Sequence, residues 1–117
     1  MHIIAITLAL VVCAIHVYIL ALEMFLWDRP QGMKAFNLAP DFAKATKVMA
    51  ANQGLYNGFL AAGIAWALVA GQRGALLFVL GCVAVAGLYG AATASRKILL
   101  IQTVPAAAAM AAVYFLG

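Results

Sequence analysis

Charge is what this chain has least of. Only 9% of its residues are charged, and its carboxylates are three: Glu23, Asp28 and Asp41. Cysteine is scarce too, with Cys13 and Cys82 each in the middle of an apolar run. Neither belongs to a CxxC pair or sits beside a histidine, so they supply no disulfide framework and no zinc site. An HExxH motif, a phosphate-binding loop and an adjacent nucleophile–base pair are also missing. No named reaction follows from sequence spacing, and neither a metal nor a cofactor is implied. Long polar stretches are few, the only sizeable one running from Asp28 to Lys47 with Pro30, Gly32 and Pro40 as breakers.

What remains is hydrocarbon. Of 117 residues, 68% are hydrophobic, and the mean hydropathy is +1.10. Small domains have the least interior per residue, so a chain this short cannot hide that much apolar surface from water. The solvent must be lipid. The formal net charge of +4 is spread over loops and helix ends. It reads as topology and contact with anionic lipid rather than nucleic-acid binding.

A membrane-spanning helix needs on the order of 20 apolar residues. Four stretches reach that length: His2 to Trp27, Val48 to Ala70, Ala75 to Ala94, and Ile98 to Leu116. Ser95-Arg96-Lys97 must reverse the chain, because the last two stretches would otherwise form one overlong helix. Asp41 after Pro40 signals a helix start, so the second helix is expected to begin there and project past the bilayer. The expected architecture is all-α, one domain of four transmembrane helices over about residues 2–27, 41–70, 75–95 and 97–116. Leu10-Val11-Val12-Cys13 loosely resembles a lipoprotein cleavage box. Val12 is too large for the position before the cysteine and no basic region precedes it, so the first stretch reads as a retained helix.

Basic residues stay on the cytoplasmic side. Arg29, Lys34, Lys44, Lys47, Arg96 and Lys97 flank one set of helix ends, and Arg73 alone marks the other. Both termini are therefore expected outside, with the long first loop in the cytoplasm, as in a multi-pass protein of the cell inner membrane. In lipid, helices associate through close packing of small residues. Gly54-x3-Gly58-x3-Ala62 and Ala86-x3-Gly90-x3-Ala94 are such stripes, and they point to a homo-oligomer.

Most intramembrane polar residues lie near the basic ends. His16 and Glu23 share a face of helix one about 10 Å apart along the axis, and an intramembrane ionisable residue is a functional-site hypothesis by default. They are the two candidates for catalysis. The alternative has Glu23 pairing with Arg29 or Lys97 and His16 acting as a neutral hydrogen-bonding residue. Asn52, Gln53, Tyr56 and Asn57 occupy one arc of helix two, where buried amides must find partners. They either bridge helices or line a polar pocket. Tyr89, Thr93 and Arg96 form one stripe on helix three, and Arg96 is either an anion anchor through its forked donors or a topology determinant. Gln102, three residues before Pro105, faces the same cavity in this reading.

The run from His16 to Trp27, HVYILALEMFLW, together with ANQGLYNGF from Ala51 and GLYGAAT from Gly87 followed by Arg96-Lys97, resembles a small bacterial integral membrane family. That family is known only as domain of unknown function 1304, and the resemblance covers the full chain without implying an activity. A second resemblance is to the membrane-associated proteins of eicosanoid and glutathione metabolism. Ala50, Ala51, Gln53, Tyr56 and Asn57 occupy the spacing of that family's A-H-x-N-x-x-E-N pattern, with only the first alanine and the final asparagine matching. It implies four-helix subunits, commonly trimers, with external termini and a cytoplasm-facing site. A trimer is accordingly the favoured oligomer.

The expected function is binding, with modification left open, of a small amphipathic or lipid-like molecule in a cytoplasm-facing intramembrane pocket. Glu23 and His16 would be its ionisable groups, and membrane lipids its surroundings. Two alternatives stand beside it, a small proton-linked transporter or efflux subunit and a structural subunit of a membrane complex.

Overall fold

Twenty-two residues without a glycine or proline, sixteen of them Ile, Leu, Val or Ala, form the first helix, α1, Ile3–Met24. At about 1.5 Å per residue it is about 33 Å long, matching the roughly 30 Å hydrocarbon core. A computed structural model describes all residues, 1–117. It is entirely helical, continuing with α2 (Pro30–Phe36), α3 (Pro40–Ala45), α4 (Lys47–Val69), α5 (Arg73–Thr93), a π-helical turn Leu99–Thr103, and α6 (Val104–Leu116).

The breaks have local causes. Pro30 and Pro40 open α2 and α3 at the first helical position, where a missing N–H costs nothing. Asn37 closes α2 in the left-handed conformation, φ 54°, and the Leu38 N–H returns to the Met33 carbonyl at 2.8 Å. The second long helix does not run unbroken from Asp41. Thr46 interrupts it, its hydroxyl donating to the Phe42 carbonyl at 2.7 Å while accepting from the Trp27 indole N–H at 3.0 Å. Gly71, at φ 66°, closes α4, with the Gln72 N–H bonded back to Ala67 O. Pro105 has no N–H to offer the preceding turn, and just ahead of it the ladder widens, Val104 N–H reaching Leu99 O.

Three helices are long and apolar enough to cross a membrane: Ile3–Met24, Arg73–Thr93 and the continuous Leu99–Leu116. This is a membrane protein, with one fewer such helix than the four expected. Helix α4 has the length, 23 residues, but Asn52, Gln53, Tyr56 and Asn57 crowd its first half and dilute its apolar character.

The chain divides into two compact units, residues 1–15 with 60–117, and residues 16–59. The first unit holds a dry core in which Ala5, Ala9 and Val12 of α1 meet Ile64 and Ala67 of α4, Leu76, Leu80 and Val83 of α5, and Ala106, Ala109 and Val113 of α6. Small residues dominate, as expected where backbones approach closely in lipid. The Cys13 thiol donates to Ala61 O at 3.3 Å. Helices α5 and α6 run antiparallel. Thr103 Oγ1 donates to Ala84 O at 3.0 Å, and a Cβ built on Gly87 would strike Thr103 and lie 3.0 Å from Gln102 Cβ. Arg73 clasps the far end, donating from Nε to Val113 O at 3.3 Å and from Nη2 to Tyr114 O at 3.0 Å. Met1 packs beside Gly117 there. The start of α1, the end of α4, the start of α5 and the end of α6 thus share one end of this unit.

The second unit is built on the close approach of α1 and α4. A Cβ on Gly58 would lie 2.5 Å from Leu20 Cδ1, and one on Gly54 would lie 2.5 Å from Met24 Cγ. Gly32 presses α2 on the backbone of Leu26 and Trp27, and the Trp27 ring packs 4.9 Å from that of Phe36.

Candidate functional site

The centre of the second unit is a carboxyl–amide pair. Asn57 Nδ2 donates to Glu23 Oε1 at 2.6 Å and also to Gln53 O at 3.1 Å. Both amide hydrogens are therefore committed. Gly54 makes the pair possible, because its missing side chain lets Glu23 Cβ come within 3.1 Å of where a Cβ would stand. Glu23 and Asn57 are each half-buried, and no side-chain polar atom of the protein is both sealed from solvent and unpartnered. The pair is open on one side. It presents two oxygens, Glu23 Oε2 and Asn57 Oδ1, as acceptors.

The other amides behave differently. Asn52 turns back on its own helix, Nδ2 donating to Val48 O at 2.9 Å, and is exposed. Gln53 is exposed, and Tyr56, 55% exposed, lies against Phe59 with ring centroids 6.2 Å apart. In a single chain these three face outward. His16 is completely buried and partnered within the fold. Glu23 takes its hydrogen bond from Asn57 rather than pairing with Arg29, which is exposed. The one ion pair is Asp28 with Lys47 at 3.1 Å. The Lys47 ammonium holds the Asp28 carboxyl below its ordinary value, by hydrogen bond first.

Tyr89, Thr93, Arg96 and Gln102 belong to the first unit. The Thr93 hydroxyl is used locally, donating to Tyr89 O at 2.8 Å. Gln102 is half-buried and partnered. Tyr89 and Arg96 are exposed, and Tyr89 ends a shallow apolar groove along α5 lined by Leu77, Phe78, Gly81, Cys82, Val85 and Ala86. Sequence reasoning missed this groove, since apolar residues on a lipid-facing helix carry no mark of their own. Glycine at 81 and alanine at 86 between bulkier neighbours are the only trace it leaves.

A family model with the description "Protein of unknown function (DUF1304)" matches residues 10–114. The chain belongs to the DUF1304 family. Every site residue from His16 to Gln102 lies inside the matched region. A relative with a similar sequence is the uncharacterized protein YpaA of Lactococcus lactis subsp. lactis (strain IL1403), 30% identical over 106 residues, covering 87% of this chain and 89% of that protein. No solved structure matches. Membership in DUF1304 brings no assigned chemistry, so function has to be argued from the side chains.

Proposed function

We propose that this protein binds a small amphipathic molecule at the Glu23–Asn57 pair, from the inner-leaflet side of a bacterial inner membrane. The observation that carries this reading is the open pair of acceptors, Glu23 Oε2 and Asn57 Oδ1, on a carboxyl–amide contact of 2.6 Å. An intramembrane carboxyl group is costly to keep unless it pairs or serves a ligand. The two free oxygens of the pair, one from each residue, suit a donor-bearing headgroup, such as an amine or hydroxyl, with the apolar remainder in lipid.

The same reading makes α4 a fourth span, with both termini outside and the long first loop in the cytoplasm. Two observations support it. The apolar second half of α4 packs in the core beside α1, α5 and α6, and it ends level with Arg73, where α5 begins. Six of the seven basic residues then fall on the cytoplasmic side. Outward-facing Asn52, Gln53 and Tyr56 would meet hydrocarbon in a lone chain, which favours their burial in a homo-oligomer, a trimer in this reading.

The test is ligand retention. Native protein released from its own membrane in mild detergent should carry an added small mass, seen by native mass spectrometry. Glu23→Gln keeps shape and polarity but replaces one acceptor oxygen with a donor NH2, and should lose that mass while remaining helical. Equal retention by Glu23→Gln, or a bare chain mass in the native protein, would end the proposal.

A further inference from the structure

We infer that the exposed face of α5 is a second binding site, specific for an anionic phospholipid and independent of the Glu23–Asn57 pair. One acyl chain lies in the groove beside Val85, Ala86 and Tyr89, and the phosphate rests on Arg96 and Lys97. The groove is apolar along its whole length, with Gly81 and Ala86 as its low floor and Phe78 and Val85 standing 73% and 65% exposed beside it. A Cβ on Gly81 would meet Met110 Cε of α6 at 3.7 Å, an ordinary contact, so α6 borders the floor without overpacking it.

Its inner half fits one leaflet. From the middle of α5, residue 83, to its end at residue 93 the helix rises about 15 Å at 1.5 Å per residue, the depth of half of the hydrocarbon core, and Val85, Ala86 and Tyr89 line the groove there. Its chemistry changes at the correct end. Past Tyr89, 72% exposed and the last residue along α5 to line the groove, α5 finishes at Thr93 and the chain turns through Ser95, Arg96 and Lys97. Both cations are exposed and neither forms an ion pair within the chain. Two positive charges without an ion-pair partner, just beyond the end of α5 that carries Tyr89, complement a phosphate headgroup whose acyl chain lies in the groove. A guanidinium recognises the phosphate oxygens through forked donors, and an ammonium adds a point charge. A zwitterionic lipid offers the same acyl chain but cancels part of the charge, so the site discriminates by headgroup.

The experiment uses the full chain in mild detergent supplied with equal amounts of phosphatidylglycerol and phosphatidylcholine, with bound lipid counted by native mass spectrometry. The expected result is one retained phosphatidylglycerol per chain in clear excess over phosphatidylcholine. Each basic residue near an anionic lipid surface is worth about fivefold in affinity. Arg96→Gln with Lys97→Gln should therefore lower phosphatidylglycerol retention by about 25-fold. Removing the same charge elsewhere, by Arg29→Gln with Lys34→Gln, should leave it unchanged. Ala86→Phe, which fills the groove and spares the charges, should lower retention of both lipids. All five positions are exposed, and circular dichroism verifies that each variant remains helical. Equal retention of the two lipids, or retention falling as much with Arg29→Gln/Lys34→Gln, would overturn the inference. So would bismaleimide crosslinking of Cys82 to Cys82 between copies in a Cys13→Ala background, which would assign the groove to a second chain. Glu23→Gln leaves this site intact, so its failure and that of the donor-headgroup site are read separately.

Discussion

Replacing Gly54 with alanine tests how the candidate site is held together. In an exposed helix the change is favourable by about 1 kcal/mol, because glycine is the poorer helix former. At Gly54 the new Cβ would lie 2.5 Å from Met24 Cγ, 3.1 Å from Glu23 Cβ and 3.2 Å from the Leu20 carbonyl oxygen. The Met24 stem can swing aside, but the Leu20 carbonyl is fixed in the α1 hydrogen-bond ladder, so the two helices must part. Overpacking of this kind costs about 1–3 kcal/mol. Moving Glu23 also weakens its bond to Asn57, worth about 1 kcal/mol. The opposing terms leave Gly54→Ala less stable by about 1–3 kcal/mol, a factor of roughly 5–150 in the folded-to-unfolded ratio. Gly74→Ala is the control, since a Cβ there meets nothing within 4 Å. Unfolding in mixed micelles of rising dodecyl sulfate content, followed by far-ultraviolet circular dichroism, should shift Gly54→Ala to lower denaturant and leave Gly74→Ala at or above the native midpoint. If both variants unfold together at or above the native midpoint, α1 and α4 do not meet at Gly54, and the geometry given for Glu23 and Asn57 is wrong.

Three further outcomes follow from individual contacts. Arg73→Gln loses the donors to Val113 O and Tyr114 O and the ring contact with Tyr114 at 5.6 Å. It should speed amide hydrogen exchange in the last turn of α6 with a stability loss of about 1 kcal/mol. Gly87→Ala would drive a Cβ into Thr103, whose backbone N lies 2.8 Å from it. It should destabilise the protein by about 2 kcal/mol or more, whereas Gly71→Ala should act through its left-handed φ of 66° instead. Asp28 has a depressed value in the folded protein. Its contribution is present above the unfolded value and is lost as pH falls through the depressed one. Titration followed by Trp27 fluorescence should place the Asp28 midpoint below the ordinary aspartate value, and Lys47→Gln should move it up; an unchanged midpoint would show that the pair is not formed.

Much of this was legible in the residues themselves. Apolar runs of span length, the prolines at 30 and 40 and the glycine at 71 locate most helix ends without any tertiary information. Glu23 and Asn57 were each marked out by being polar inside an apolar run. That they bond to each other was not legible. They are 34 positions apart, and their meeting depends on the register of α1 against α4, which Gly54 and Gly58 set through contacts with Leu20 and Met24. The break at Thr46 was hidden for a related reason. The position after Asp41 looks like continuous helix, and only the Trp27 indole, arriving from the end of α1, gives the threonine hydroxyl its second partner. The count of apolar spans was overestimated at α4 because length was weighed above the dilution by Asn52, Gln53, Tyr56 and Asn57. The outward direction of three of those four residues needed the fold.

Whether α4 crosses the membrane decides the central claim, since it fixes the side on which Glu23 and Asn57 open. Only α4 and the short helices before it lie between Gln31 and Gln72. A cysteine placed at each position in turn, exposed to a membrane-impermeant maleimide in intact cells and in inverted vesicles, reads the answer directly. Labelling is expected at Gln31 only from the cytoplasmic face and at Gln72 only from outside. Labelling of both from the same face would show that α4 does not cross, and reversed labelling would put the polar half of the protein on the opposite side of the membrane.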